Sequence, residues 1–334
     1  MANITFGFGS HVADSVFGYS QAPIRSIIED RAEAQEKLSV LPYLFNMQKT
    51  DKALDKLTSL TAMTGFLPVG ENGAYVVDGM QEGYSKIIEQ DTWKDQFSIT
   101  QEAVEDAVAI DLKKKPKAFT TAYYRTREQF GARFYGNAIK LANTFTLNGH
   151  TYNCQSADAV DLFSTAHPSK VSGDNQSNYF ADAFSDDAMG AMETKMQNFK
   201  GDNDNLLAVS PDTILIPNLH SLKKSVFAAI GADKDPDTAN NGFNYQFGKW
   251  RVIVWSFLND YITASTAPWV MIDSGYNEDY DGAIWLDRIP LTVKSDIDLT
   301  TDANVWRGRA RFNAGFNDWR FAAVGGVAAG TALL

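Results

Sequence analysis

The sequence predicts an α+β fold in which one long helix and its strands stand apart from an α/β lobe. Three observations predict it. A glycine-punctuated stretch within residues 61–110 carries short strand signals. A run of apolar residues at helical spacing follows within residues 111–149. Strand and helix patterns then alternate through residues 150–286, an order that favours a mixed sheet with helices packed on it.

Composition and charge limit the classes of protein to consider. Of the 334 residues 44% are hydrophobic, and 21 Phe, 13 Tyr and 7 Trp supply large rings, so the chain can bury a sizeable core. The formal net charge of −11 argues against nucleic-acid binding by bulk attraction and leaves only local basic patches for it. Cys154 is the only cysteine, which excludes an intrachain disulfide and a cysteine-based zinc cluster.

The two ends of the sequence lead us to expect a soluble, intracellular protein. The first residues lack the basic and apolar regions of a signal peptide. The longest uncharged apolar stretch is residues 321–334. It is too short, and too rich in Gly and Ala, for the ~20 residues of a membrane-spanning helix.

Residues 1–60 are predicted to form an extended arm with short helices. Pro23 suits the first turn of a helix, and Ile24, Ile27 and Ile28 follow it at helical spacing. A single short helix cannot bury such a stripe on itself. We therefore expect it to pack on another part of the fold or on another subunit.

Residues 61–110 are predicted to form a long, twisted β-hairpin with polar faces. The strand signals are Ala74–Val77, Tyr84–Ile88 and Trp93–Ile99, and glycines separate them. A lone two-stranded hairpin is marginal in water, so we expect this one to lie on a neighbour.

The clearest helix pattern starts at Pro116, and its apolar residues recur every three or four positions as far as Phe145. This length is about seven turns, or roughly 40 Å at ~1.5 Å per residue. Leu147-Asn148-Gly149 is predicted to end the helix. Gly131 and Gly136 within it each cost roughly 1 kcal/mol relative to Ala, which predicts close approach of another backbone.

Residues 150–286 are predicted to form the α/β lobe. Ser185 can cap a helix there, and a second helix follows the buried strand Thr213–Ile216. The later strand candidates are Trp250–Phe257, Trp269–Ile272 and Ala283–Leu286.

Residues 287–334 return to strands, beginning with Leu291–Lys294. From Trp306 to Phe316 the alternation of apolar and polar residues is strict, which predicts a half-buried strand. Its polar face carries a ladder of arginines, namely Arg307, Arg309 and Arg311.

Two pairs of segments match a known family as strings of residues. One pair is Leu162–Pro168 with Asn175–Asn178, and the other is Trp306–Phe316 with Asp318–Arg320. Together with the order of arm, hairpin, long helix, lobe and terminal strands, they resemble the major capsid protein of tailed bacteriophages. The resemblance is to the Hong Kong 97-type fold and, within it, to the Mu-like major head subunit family. Neither pair encodes chemistry.

The resemblance covers essentially the whole chain. It implies a structural head protein that self-assembles into hexamers and pentamers of an icosahedral shell enclosing double-stranded DNA. The implied location is the virion, after assembly in the host bacterial cytoplasm, and the implied partners are other copies, a portal and decoration proteins, with no membrane. The implied division is an N-terminal arm (1–60), an extended loop (61–110), a spine helix of the peripheral domain (111–149), an axial domain (150–286), and peripheral-domain strands with the C-terminus (287–334).

The sequence departs from the Hong Kong 97 type in two respects. That type begins with a long, charged, helical scaffolding extension that is later removed, whereas here the arm starts almost at Met1. The resemblance therefore implies a separate scaffolding protein. Lys86 lies in the predicted loop, but no partner aligns for the family's lysine–asparagine crosslink, so the sequence leaves open whether the subunits are crosslinked.

Basic residues collect at the start of the predicted spine helix of this acidic chain. They are either a solvated helix start or a lumen-facing patch that contacts the phosphates of packaged DNA without sequence preference. The candidate lumen-facing residues are Lys113, Lys114, Lys115, Lys117, Arg125, Arg127 and Arg133. The candidate intersubunit residues, among which the arginines can pair with acidic groups of a neighbour, are Tyr75, Val77, Ile87, Trp93, Arg307, Arg309 and Arg311.

We predict no catalytic, cofactor-binding or metal-binding residues. His167 has Ser164 and Asp161 nearby, but adjacency in sequence does not make a hydrolytic triad, and no Gly-x-Ser-x-Gly elbow surrounds the serine. The histidines lack metal-ligand spacing, and Asp202–Asn205 lacks the downstream residues of a calcium loop. Two other functions stay open, an encapsulin-like bacterial compartment shell that shares this fold and, remotely, an α/β hydrolase.

Overall fold

The computed structural model describes residues 4–8, 18–60, 66, 68–71, 73–75, 77, 82–100, 102–103, 106, 113–171, 173–231, 244–262 and 267–333. The strands are β1 Thr5–Phe8, β2 Asn46–Lys49, β3 Leu54–Leu60, β4 Glu82–Glu89, β5 Asp91–Ile99, β6 Thr144–Leu147, β7 His150–Asn153, β8 His167–Pro168, β9 Asn175–Gln176, β10 Thr213–Pro217, β11 Arg251–Trp255, β12 Trp269–Ile272, β13 Ala283–Asp298, β14 Ala303–Phe316 and β15 Ala322–Gly325. The α-helices are α1 Gly18–Glu36, α2 Leu41–Leu44, α3 Lys115–Ile139, α4 Asp186–Gln197, α5 His220–Ile230 and α6 Ser274–Tyr280, and a 3-10 helix spans Ser256–Tyr261.

A five-stranded sheet, here called the peripheral sheet, has the order β1–β13–β14–β5, with β2 also paired to β13. β14 is antiparallel to both β13 and β5, whereas β1 and β2 run parallel to β13. The β13–β14 register shifts between Asp287 and Thr292, a stretch in which Pro290 has no backbone donor. The predicted axial strand Ala283–Leu286 is the beginning of β13, so its assignment to the α/β lobe was wrong.

The alternation predicted for β14 is confirmed from Trp306 to Arg311, whereas residues 312–316 are buried on both faces, so the half-buried prediction was wrong there. Trp306, Ala310 and Phe312 are buried, while Arg307 and Arg309 on the opposite face are exposed. The buried face packs on helix α3, and it does so closely at Gly308. A Cβ atom at that position would lie 2.4 Å from Cζ of Phe119, so only glycine fits there.

Helix α3 is the predicted long helix, but it is shorter than predicted. It ends at Ile139, and Leu141 follows in a left-handed conformation with φ of 56°. Phe145 lies in β6, where its ring stacks on Tyr152 of β7, so the helical assignment of Phe145 was wrong. Asn148 and Gly149, predicted to end the helix, instead form the β6–β7 turn.

The glycines within α3 accommodate side chains and not another backbone. A Cβ atom at Gly131 would lie 2.5 Å from a methyl carbon of Leu41, and one at Gly136 would lie 2.2 Å from the ring of Tyr261. The prediction of close approach was correct, but the partner group was wrong. Arm residues and the 3-10 helix thus pack directly against α3.

The arm helix α1 finds its partner within the same chain. Ile24 and Ile28 are buried in a cluster with Phe119 of α3 and Trp306 of β14. This confirms the expectation that the isoleucine stripe of the arm packs on another part of the fold.

The hairpin pairs β3 with β4, antiparallel, from Leu54 to Leu60. Its first strand therefore lies in the stretch that we assigned to the arm. The predicted hairpin strand Trp93–Ile99 is instead β5, which leaves the hairpin and pairs with β14. No strand forms at the described residues 73–75 and 77, so the strand prediction for Ala74–Val77 was also wrong.

The α/β lobe, here called the axial lobe, contains a sheet in the order β11–β10–β12–β15. β10 is parallel to β11 and antiparallel to β12, which confirms the predicted mixed sheet. Ser185 caps α4 as predicted, because its hydroxyl accepts the N–H of Ala188 at 3.0 Å. β15 comes from the C-terminal segment that we assigned to the peripheral domain, so the tail returns to the axial lobe. No described helix is long and apolar enough to cross a membrane.

Candidate functional site

The exposed face of the peripheral sheet carries a compact group of cations, here called the basic face and defined by Lys94, Lys294, Arg307 and Arg309. The strand register places Arg309 between Lys94 and Thr292, and Arg307 beside Lys294. Neighbouring strands are about 4.8 Å apart, so these positive groups are close enough to repel one another. They line an open depression of about 670 Å³.

Two carboxylates of the same chain, Asp95 and Asp296, line the same depression and compensate the basic face only in part. Arg307 lies 3.8 Å from Asp296, which is a long ion pair with an arginine that is 57% exposed. Within the described part of the chain, Lys94, Lys294 and Arg309 form no ion pair. The third ladder arginine, Arg311, is half-buried and donates to the backbone oxygen of Gln90 at 3.2 Å. An anionic partner would therefore find most of this charge available.

A second group of cations lies on the opposite side of the same unit, along α3. Lys113, Lys114, Lys117 and Arg125 are exposed there. Helix α3 covers the buried face of the peripheral sheet, so these side chains and the basic face point away from each other. Of the other predicted lumen-facing residues, Arg133 is half-buried, and Lys115 donates to the backbone oxygen of Ser98 at 3.1 Å.

Arg127 has a structural role, and its place among the free lumen-facing cations was wrong. It pairs with Asp287 at 2.9 Å and donates to the Tyr123 hydroxyl at 3.0 Å. Its guanidinium also lies 5.0 Å from the ring centre of Trp285. Burial alone would lower the pKa of Arg127, but Tyr123 and Asp287 together raise it. The arginine thus joins α3 to β13.

The segment between β3 and β4 is here called the hairpin tip, and its described hydrophobic side chains are exposed to solvent in the single chain. Phe66, Tyr75 and Val77 are 109%, 99% and 94% exposed, and Ile87 nearer the base is 55% exposed. Trp93 is different, because it stacks on Phe312 with ring centres 4.9 Å apart and its indole N–H donates to the Phe312 carbonyl. The prediction that Trp93 faces another subunit was wrong, since β5 carries it into the peripheral sheet.

The residues around His167 do not form a nucleophilic site. Its Nδ1 lies 2.7 Å from Asp158, and its Nε2 lies 3.1 Å from the amide oxygen of Asn178. The Ser164 hydroxyl instead bonds to the backbone of Ala166 in its own loop. Because both ring nitrogens are engaged with buried partners, the histidine cannot serve this serine as a general base.

The acidic turn that contains Asp202 is also used internally. Asp202 pairs with Arg320 at 3.0 Å, and Asp204 pairs with Lys200 at 2.8 Å. Arg320 in turn contacts Asp318, and the indole of Trp319 stacks on His167 with ring centres 4.3 Å apart. Across the described ranges no cluster of His, Cys, Asp or Glu could hold a metal ion.

Sequence reasoning missed Lys94 and Lys294 on the basic face and the partners Asp158 and Asn178 of His167. The lysines lie on other strands than the arginine ladder, so only the register of the sheet brings them beside it. The strings that carried the family resemblance, around His167 and Trp319, are the packing contacts between the axial lobe and the C-terminal segment.

A family model described as phage capsid protein matches residues 83–325. The chain belongs to the phage capsid protein family. The match begins within β4 and ends within β15, so it includes the base of the hairpin, α3, the axial sheet and the strands β5, β13 and β14 of the peripheral sheet. The protein is accordingly a structural shell protein. The more specific Mu-like assignment stays a prediction.

Solved structures show the same fold at low sequence identity. They include the capsid of cyanophage P-SCSP1u at 9% identity and a TM-score of 0.52, covering 86% of this chain and 87% of that chain. The mature capsid of bacteriophage PhiM1 is 8% identical with a TM-score of 0.51, covering 85% and 86%. The capsid of Ralstonia phage GP4 is 11% identical with a TM-score of 0.50, covering 84% and 86%. The likeness confirms the Hong Kong 97-type fold. A comparison with curated proteins found no match.

Proposed function

We propose that this capsid protein assembles into hexamers and pentamers of an icosahedral phage head, and that the hairpin tip of one copy binds the basic face of the next. The observation that carries the proposal is the nearly complete exposure of Tyr75 and Val77, at 99% and 94%, which exceeds that of exposed axial-lobe rings such as Tyr245 at 61%. Covering an exposed side chain of this size recovers about 1.5–3 kcal/mol. A closed shell repeats this contact in every subunit.

Charge supports the choice of the basic face as the surface that receives the tip. Between Lys56 and Lys86 the sequence contains Glu71, Asp78 and Glu82 and no Lys or Arg. A negative tip and a net positive face attract each other, and the pairing fixes their relative position more than it adds affinity. Each exposed ion pair contributes only ~0.2–1 kcal/mol, so the apolar side chains supply most of the binding energy.

The cations along α3 have a different role in this proposal. Lys113, Lys117 and Arg125 face the lumen and contact the phosphates of packaged double-stranded DNA without sequence preference. Their position opposite the basic face supports this division, because only one side of a shell unit can face the contents. The shell forms in the host cytoplasm around a separate scaffolding protein and carries a portal, with decoration proteins as further partners.

The protein performs no catalysis in this proposal, since a shell subunit has a mechanical role and the contacts of His167 are structural. A hydrolytic activity that stayed with the purified protein and vanished in Ser164→Ala would contradict this. His167→Ala should change only folding or assembly.

A charge exchange tests the proposed contact. Arg307→Glu with Arg309→Glu should abolish closed particles in negative-stain microscopy of the protein expressed with its scaffold. Adding Glu71→Lys and Asp78→Lys to the same chain should restore them. Glu33→Lys, an exposed acidic position on α1, is the matched control and should restore nothing. Particles unaffected by the arginine reversal would exclude the basic face as the receiving surface.

A further inference from the structure

The base of the hairpin is attached to the axial lobe by lysines that reach in opposite directions. Lys86 of β4 donates from Nζ to the backbone oxygen of Gln155 at 2.7 Å. Lys170 of the axial lobe donates from Nζ to the backbone oxygen of Gly83 at 2.6 Å. Lys170 also lies 5.5 Å from the ring centre of Tyr84, so its charge contacts the hairpin at adjacent residues.

The attachment of the same strand to the peripheral sheet is of another kind. Ile88 is 3% exposed and packs with Ile284 and Leu286 of β13. The side-chain amide of Asn313 donates to the backbone oxygen of Glu89 at 2.5 Å. Apolar packing and neutral hydrogen bonds need no buried charge, so this contact does not depend on the protonation of a lysine.

Lys86 is an unfavourable choice for a permanent contact. It is 7% exposed, and within the described residues it has a carbonyl as acceptor but no carboxylate within ion-pair distance. A buried ammonium without a counter-ion pays a large desolvation penalty that one carbonyl offsets only in part. A Met or Leu at this position would hold the strand more firmly.

We propose that Lys86 and Lys170 form a releasable latch that holds the hairpin base on the axial lobe and lets it swing about the Ile88 contact. The buried charge of Lys86 destabilises the docked state, so that docking is only marginally favoured. The hydrogen bond from Lys170 to Gly83 stabilises the docked state and keeps it populated. The latch belongs to the single chain. Its consequence, repositioning of the tip when neighbours arrive, rests on the proposed function.

The protonation of Lys86 gives the latch a defined pH dependence. Burial lowers the pKa of Lys86 from the ordinary 10.5 to about 8, opposed in part by Cys154 and Asp158. On release the pKa returns to its ordinary value. Docking therefore favours the neutral amine, so the latch is weakest and constant below pH 8. It tightens as the pH rises towards 10.5, by roughly tenfold between about pH 7 and about pH 9.

The other titratable groups around Lys86 contribute little up to about pH 9, and above it the phenol of Tyr84, whose ordinary pKa is 10.0, opposes docking because only the released form ionises. Burial raises the pKa of Cys154. Burial also raises the pKa of Tyr84, and the charges of Asp158 and Asp202 add smaller contributions. The docked thiol and phenol therefore stay neutral. Although burial opposes it, the contact with His167 lowers the pKa of Asp158, so this carboxylate remains charged throughout, and burial raises the pKa of Asp161.

A distance measurement on the unassembled full-length subunit tests the latch. Spin labels at Thr58→Cys on β3 and Lys195→Cys on α4 report whether the hairpin lies on the axial lobe, and both positions are exposed. Cys154 is fully buried and stays unlabelled. The docked fraction, relative to the released one, should rise roughly tenfold from about pH 7 to about pH 9.

Substitutions separate the latch from simple packing. Lys86→Met should raise the docked fraction at neutral pH and remove its pH dependence, and Lys170→Met should lower it. Lys56→Met, an exposed lysine on β3, should behave as the parent. A flat pH profile in the parent, or a profile that persists in Lys86→Met, would overturn the latch. Because no shell is needed, either result leaves the proposed assembly untouched.

Discussion

The base and the tip of the hairpin are parts of one segment with opposite surroundings. At the base Lys86 and Ile88 are 7% and 3% exposed, whereas at the tip Tyr75 and Val77 are 99% and 94% exposed. The base is covered by both lobes of its own chain, and the described part of the tip is covered by neither. The difference shows that the single chain buries the apolar surface of the base by itself, whereas that of the tip can be buried only by a second copy.

The largest effect on stability should come from the covered part of the molecule. Phe312 is fully buried and stacks on both Trp93 and Trp285. Phe312→Ala should therefore lower the free energy of unfolding by about 3–5 kcal/mol, through lost transfer energy and a residual cavity. Urea denaturation of the unassembled subunit measures it.

The matched change at the tip should have almost no effect on the same measurement. Tyr75→Ala should shift the unfolding free energy by less than about 0.5 kcal/mol, because the ring contacts solvent in the single chain. A destabilisation of the subunit comparable with that of Phe312→Ala would show that the tip packs on its own chain and would remove the contrast.

The next effect in size concerns the charge buried between α3 and β13. Asp287→Ala leaves Arg127 without its carboxylate and should cost about 3 kcal/mol. The double variant Arg127→Met with Asp287→Leu should recover most of this loss, since no isolated charge then remains. A double variant as unstable as the single one would mean that packing, and not the uncompensated charge, causes the loss.

The sequence predicted those parts of the fold in which local pattern and burial agree. The alternation in β14 and the helical stripe of α3 each follow from one buried face, so both are present in the structure. Phe145 was misassigned because its spacing continues the helical stripe, whereas a left-handed Leu141 has already ended the helix.

The candidate site was harder to predict, because it depends on pairing between distant strands. Trp93 and Arg127 have the composition of interface and DNA-binding residues, but β13 and β14 supply their partners from far along the chain. Lys94 and Lys294 were missed for the same reason. Strand register is set by tertiary packing, and no single stretch of sequence contains it.

Charge reversal on the two basic surfaces should also have only a small effect on subunit stability. Lys117→Glu with Arg125→Glu, and Arg307→Glu with Arg309→Glu, should each change the unfolding free energy by less than about 1 kcal/mol. Their effects on particles should differ. The α3 pair should leave shells that retain less DNA, whereas the sheet pair should leave few shells. If shells of the α3 variant contained as much DNA as those of the parent, the α3 cations would be only solvent-exposed charges without a role in binding DNA.

The most direct test of the account is to remove the tip and keep the base. A short Gly-Ser turn should replace residues 66–80, because β4 from Glu82 onward packs on its own chain and must stay. Leu206→Ser, at an exposed position of the axial lobe, is the matched loss of apolar surface. We predict that the shortened subunit melts like the parent but forms no closed shells in electron microscopy, while Leu206→Ser forms them normally. Shells from the shortened subunit as robust as those of the parent would contradict the central claim.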